Sequence, residues 1–333
     1  MKRTSQIPFP LAAASALVLA ANSVLAQESA DATEEAAIFQ PLGLVNRPQV
    51  ARQAAGDSGL LELGAGYVSD DNYMFGQYNG LNEEGGTLIG NLQWQHFDGD
   101  SYIQTSFTDM GLETREGQII WGRPDRLRIN VGFDSQQQVR NDTGRTPFNG
   151  SDTQVLPPGW ESGVTTQDFG ALDQSLRRFD RELDRNKLFA GLETRLGERW
   201  RLRSNLSYEE KEGDGDVGAA IYTNLVGGDA VLLKQPIDYT TTEFDLGLSF
   251  DGDKLHLDGE LAYSEFDNDD DVLTWQNPYS SYGPRVRYPE GTGGLGVAPD
   301  NEQFSGRLTG HYIFSSTTRL QIDTSYAVAS QDR

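Results

Sequence analysis

Between Leu60 and Val328 hydrophobic and polar residues alternate with a period of two. In the stretch from Arg126 to Phe133, the residues Leu127, Ile129, Val131 and Phe133 fall on one face, and Arg126, Arg128, Asn130 and Gly132 fall on the other. That is the pattern of a strand with one apolar side and one wet side. It returns at Trp200–Tyr208, Phe244–Phe250, Lys254–Tyr263 and Arg319–Val328. Weaker forms lie near residues 60–69, 87–97, 101–108, 117–122, 187–196 and 303–314. Together these stretches predict about eleven strands, most of them near the length of about 9–11 residues that a tilted strand needs to cross a membrane.

The connections alternate as well. Long ones are read at 70–86, 137–185, 209–238 and 267–302, and an intermediate one at 109–116. Short ones fall between them at 98–100, 122–125, 197–199, 251–253 and 315–317. Short periplasmic turns and longer extracellular loops are the habit of outer-membrane barrels. Trp94, Trp121, Trp200, Tyr208, Tyr263 and Phe314 stand toward strand ends on the apolar face, where interfacial girdles belong. The fold expected is therefore all-β, a transmembrane antiparallel β-barrel of the outer-membrane type. A soluble sandwich would alternate too, but it does not explain why every second connection is long. With the first strand rising from the periplasm, an odd count leaves the last strand without a partner. The sequence ends on "YAVASQDR", without an aromatic closing strand. The expectation is an incomplete barrel, the N-terminal portion of a larger one.

Composition fits a wall wetted on one side. Hydrophobic residues make up 37% of the chain and glycines number 37, and mean hydropathy is -0.54. A barrel with a wet interior needs apolar residues only on alternate positions. Fifty acids against 27 bases give a net charge of -23, which sets nucleic acid aside as a partner. With no cysteine there is no disulfide, no thiolate metal site and no covalently attached c-type haem. "MKR", the apolar run "FPLAAASALVLAA" and "SVLA" form a signal peptide over residues 1–26. The apolar run is too short for the about 20 residues of a spanning helix. Residues 27–58 read as a periplasmic N-terminal segment, and 59–333 as the partial barrel with long extracellular loops, integral to the outer membrane.

No catalytic pattern appears: there is no nucleophile elbow, no HExxH and no phosphate loop, and the only histidines are His96, His256 and His311. His256 and His311 face the lumen on consecutive strands near the short-turn end, but two histidines do not make a metal site. The acidic runs Asp267–Asp271 and Gly213–Asp216 lack the ordered spacing of an EF-hand and read as solvated loops. Arg126, Arg128, Arg195, Arg201, Arg203, Lys254 and Arg319 lie within a few residues of short turns, while acids crowd the long loops. Pointing inward, most of these bases form a positive collar at the periplasmic mouth. Such a collar would bind an acidic partner or contact haem propionates. Ordinary lumenal charge with local ion pairs is the alternative.

The stretch "YVSDDNYMFGQYNGLNEEGGTLIGNLQW", residues 67–94, resembles the first-loop signature of the decahaem-associated outer-membrane barrels, the MtrB/PioB family. The likeness rests on aspartates before an aromatic, "FGQYNGLNEEG" from Phe75 to Gly85, and the strand "LIGNLQW" after it. The resemblance implies a barrel that sheathes a periplasmic multihaem c-type cytochrome. Electrons would then cross the outer membrane to or from an extracellular cytochrome or mineral, in metal reduction or iron oxidation. It also implies a barrel that binds no cofactor of its own, haem being carried by the cytochrome. Some relatives carry a CxxC pair near the mature N-terminus. This chain has none, so no thiol-linked role carries over. A general diffusion porin or solute channel is the alternative function.

Overall fold

A computed structural model describes residues 56–221, 229–279 and 292–332. The signal peptide and nearly all of the N-terminal segment read from the sequence lie outside the described residues. Eleven strands form one antiparallel sheet: β1 (Gly56–Val68), β2 (Gly85–Phe97), β3 (Tyr102–Met110), β4 (Arg115–Arg123), β5 (Leu127–Thr146), β7 (Arg177–Leu196), β8 (Trp200–Ile221), β9 (Asp229–Asp251), β10 (Leu255–Asn268), β13 (Asn301–Ser315) and β14 (Thr318–Gln331). Each pairs with its sequence neighbours in the sheet. The short strands β6 (Thr153–Gln154), β11 (Val272–Gln276) and β12 (Thr292–Gly296) form a separate three-stranded sheet. The sheet of eleven is unclosed among the described residues, with β1 and β14 at its edges.

Register carries the alternation from strand to strand, because directly opposed residues share a face. One row runs Val131, Ala190, Leu206, Phe244, Tyr263, Phe304, Val328. The residues one step along, Asn130, Gly191, Asn205, Asp245, Ala262, Ser305 and Ala327, make a small and polar row on the opposite face. The first row belongs to the lipid side. Its large side chains are open to the surroundings, Leu206 at 50% and Phe304 at 46%, as hydrocarbon contact requires and a water-soluble core would forbid. The girdle aromatics Trp94, Trp121, Trp200, Tyr208 and Tyr263 take this face, and Phe314 sits edge-on to Tyr312 of the same face at 4.8 Å.

The rows cross the apolar band obliquely. Trp121, next to the β4–β5 turn, shares its row with Ser204 in the middle of the β8 span, through Ile129 and Leu192. At the upper boundary the row beginning with Phe133, Leu188 and Tyr208 has turned polar by Glu265 and Glu302. Strands tilted to the membrane, with the stagger that barrel curvature demands, produce this drift.

Above the band the strands do not stop. β8 has 22 residues and β9 has 23, so most of the stretch read as a long connection at 209–238 is paired ladder. Likewise β5 reaches Thr146 and β7 starts at Arg177, within the connection read at 137–185. Once both faces meet water the hydrophobic alternation disappears, although the backbone hydrogen bonds continue. The run Gly213–Asp216, read as solvated loop, lies inside β8. There Asp214 meets Lys234 at 2.7 Å and Asp216 pairs with Arg181.

The hydrophobic core sits outside the membrane band. Phe148, Ala219, Val231, Leu233, Leu273, Trp275 and Tyr279 form one buried cluster, with Leu156, Phe169, Val217, Leu295 and Val297 against it. Val217 opposes Leu233 and Ala219 opposes Val231, on the face that lower down lines the lumen. The segments between β5 and β7 and between β10 and β13 thus fold against the lumenal side of the β8–β9 extension. Bonds from Thr146 to the Leu232 carbonyl (3.2 Å) and from the Tyr279 hydroxyl to the Ala230 carbonyl (3.0 Å) anchor them there.

Candidate functional site

The lumenal face is a lattice of opposed charges. One row reads Arg128, Glu193, Arg203, Gly247, Glu260, Arg307, Ser325. Arg203 reaches Asp258 at 3.0 Å, and Ser249 donates to the same carboxylate at 2.7 Å. Arg307 forks onto Asp323 at 2.8 and 3.3 Å. Lys187 stands between Glu209 (3.9 Å) and Glu243 (3.7 Å). In a wet lumen each exposed pair adds at most about 1 kcal/mol, so the lattice matters for the potential of the wall more than for its stability.

At the foot of β5, β7 and β8 the balance changes. Arg126, Arg128, Arg195 and Arg201 line a cleft of about 300 Å³ with Tyr102 and Gln104. Two turns build it. Asp125 takes a positive φ of 58° to close the β4–β5 turn, and Gly197 takes φ 78° in the β7–β8 turn, a conformation with little cost for glycine. The Arg195 amide donates to the Arg126 carbonyl at 2.9 Å, and the Thr194 hydroxyl donates to the same oxygen at 3.2 Å, locking the two hairpins together. Arg195 and Arg201 are directly opposed, a like-charge pairing that strands ordinarily avoid. Glu193 comes within 3.6 Å of Arg201. Arg126, Arg128 and Arg195 are in no ion pair among the described residues.

The collar read from the sequence is therefore split. Four of its arginines meet in the cleft. Arg203 is engaged by Asp258, and Arg319 sits on β14, separated from β8 by β9, β10 and β13. His256 and His311 are directly opposed, with rings stacked at 4.4 Å, and His256 Nδ1 lies 2.8 Å from Asp251. No group of three or more histidine or acidic residues suited to a metal occurs among the described residues.

The glycine-rich stretch at 74–86 covers a strand edge. β4 leaves β5 at the Arg115–Ser135 rung, so the next part of β5 has a bare edge that needs partners. The loop between β1 and β2 reaches over the short β3–β4 hairpin and supplies the Gln77 carbonyl to the Val139 amide at 2.9 Å, while Gln138 donates to the Tyr78 hydroxyl at 3.2 Å. Asn72 accepts from the amides of Met74 and Phe75 at 3.0 and 3.2 Å. A Cβ at Gly76 would land on the Asn82 backbone, and Gly80 takes φ 75°. Under the loop, Gln137 donates to Glu182 at 2.5 Å. Burial, then the neighbouring Asp184 charge, pushes the Glu182 carboxyl up. Burial, opposed by a Gln137 hydrogen bond and reinforced by Glu113, raises Asp184. The sequence offered no sign of this edge, because it arises from unequal strand lengths.

Comparison with known proteins agrees with this geometry. The family model for the outer membrane beta-barrel porin, MtrB/PioB, matches residues 67–333. The outer membrane protein MtrB of Shewanella baltica (strain OS185) is 23% identical over 284 residues, which cover 84% of this chain and 39% of the relative. The chain thus spans about two fifths of that relative's length. Among solved structures, in-vitro folded OmpT of Vibrio cholerae superposes with a TM-score of 0.32 at 10% identity, over 82% of this chain and 76% of OmpT. The ferric-catecholate receptor Fiu of Escherichia coli K12 gives 0.30 at 10%, over 83% and 41%; at these scores neither superposition bears on function. The family match over most of the chain, on a sheet with one lipid face and one polar face, makes this an outer-membrane protein of the MtrB/PioB family.

Proposed function

We propose that this chain supplies the wall of a barrel that sheathes a periplasmic multihaem c-type cytochrome, forming an electron conduit across the outer membrane. The observation that carries the reading is the family match from Tyr67 to Arg333. The wall is consistent with it. Its membrane-level lumenal residues are mostly small, polar or charged, and its folded loops are anchored above the aromatic rim, at Ala230, Leu232 and Thr146. A low-dielectric wall with a polar lining insulates and aligns redox centres carried by another chain, which is the division of labour between protein and cofactor. With no cysteine, this chain cannot attach c-type haem itself.

Gentle detergent extraction followed by haem staining tests the reading. A haem-bearing periplasmic protein should co-purify with the barrel, and deletion of the barrel should abolish electron exchange with external donors or acceptors. A barrel that purifies without haem and conducts ions with a sizeable single-channel conductance would instead be a diffusion porin.

A further inference from the structure

We propose that the arginine cleft at the foot of β5, β7 and β8 is an anion site that takes carboxylates from the surface of the protein occupying the lumen. The identity of the occupant rests on the sheath reading above; the anion site rests on the cleft alone. Arg126, Arg128, Arg195 and Arg201 line it against two acids, Asp125 and Glu193, in a chain whose net charge is -23. Further round the lumenal wall Arg203 is neutralised by Asp258 and Arg307 by Asp323. Here Arg126, Arg128 and Arg195 stand together without an acid partner among the described residues, and Glu193 is shared with Arg201 at 3.6 Å.

Three features select the ligand. Arg128, Arg195 and Arg201 lie in the lumenal rows, whereas lipid headgroups meet the other face, where Trp121 and Trp200 stand. The anion therefore arrives from the lumen or the periplasm, not from the bilayer. A volume of about 300 Å³ is the lower limit of small-molecule sites and holds a carboxylate or two, not a whole macrocycle. Guanidinium forks match planar carboxylates with paired charge-assisted hydrogen bonds. The directly opposed Arg195 and Arg201 repel each other, and Glu193 offsets Arg201 alone, at 3.6 Å, so a carboxylate against Arg195 relieves the remaining cost. An acidic occupant would be repelled by most of this chain and attracted at the cleft, which fixes its rotational and axial register.

The experiment is calorimetric titration of the full chain in detergent micelles with octaglutamate peptide at two ionic strengths. Native protein should bind, more weakly at high salt. The triple variant R126Q/R128Q/R195Q should lose about tenfold or more in affinity, with heat-modifiable electrophoretic mobility unchanged to show that the fold is intact. The triple variant R126K/R128K/R195K, which keeps charge but not the fork, should fall between. The charge-matched control R178Q/R181Q/R307Q, at arginines ion-paired elsewhere, should bind like native. Equal binding by the cleft variant, or an equal loss in the control, overturns the site. Haem staining of native co-purified material is read in parallel. Absence of haem together with peptide binding sinks the sheath reading but leaves the anion site standing.

Discussion

Placing an arginine at Leu246 tests the assignment of faces on which the rest depends. Leu246 lies on the lipid face, directly opposite Ser204 on one side and Leu261 on the other. It is four residues above Phe250, whose ring lies tilted against Trp200 at 4.8 Å in the lower aromatic girdle. Four steps of about 3.3 Å along a strand tilted by about 40° give a height of about 10 Å, within a few Å of the middle of a band about 25 Å tall. An arginine at that depth costs about 2–4 kcal/mol, so L246R should shift the folding equilibrium by about two orders of magnitude. The matched substitution at the next residue, D245R, points into the lumen near Glu243 and Glu260. There it exchanges a repulsive contact for an attractive one and should change stability by less than about 1 kcal/mol. The assay is reversible urea titration of the full chain in phospholipid vesicles, followed by tryptophan emission. If D245R proves the more damaging of the two, the faces are inverted and the lumenal lattice does not exist.

Other expectations follow from the region above the membrane band. Replacing Gly76 by alanine should dislodge the first loop, because the new methyl meets the Asn82 backbone; hydrogen exchange at the Val139 amide should speed up while membrane-level amides stay protected. Glu182 and Asp184 carry raised pKa values, so the folded form holds more protons than the unfolded one between the ordinary carboxylate range and the raised values. Stability there falls as pH rises, and a nitroxide on a single cysteine at exposed Met74 should be less mobile at about pH 5 than at about pH 7.5. Truncating Leu233, fully buried in the core above the membrane band, to alanine should cost about 2–5 kcal/mol locally. It should open residues 147–176 to protease while heat-modifiable mobility persists.

Side-chain parity is a local property, and the sequence alone settles it. Alternation at Leu127–Phe133 and Trp200–Tyr208 assigns lipid and lumen faces, and polar runs mark where the hydrocarbon ends. The short turns, the girdle aromatics and the first-loop signature at 67–94 are also legible in one pass along the chain. Pairing is not local. Glu209–Asp216 looks like loop because both of its faces are wet, and only the ladder to Lys234–Thr241 shows that it is strand. The core above the membrane band joins Phe148, Leu233 and Trp275 across distances in sequence that no periodicity spans. Nearness to short turns groups Arg126, Arg128, Arg195, Arg201, Arg203 and Arg319 as a collar. Register decides that the first four meet, that Asp258 engages Arg203, and that three strands stand between β8 and Arg319. The physical reason is that a period of two fixes which way a side chain points, while its neighbours are fixed by hydrogen bonds between strands that the chain reaches only by turning back.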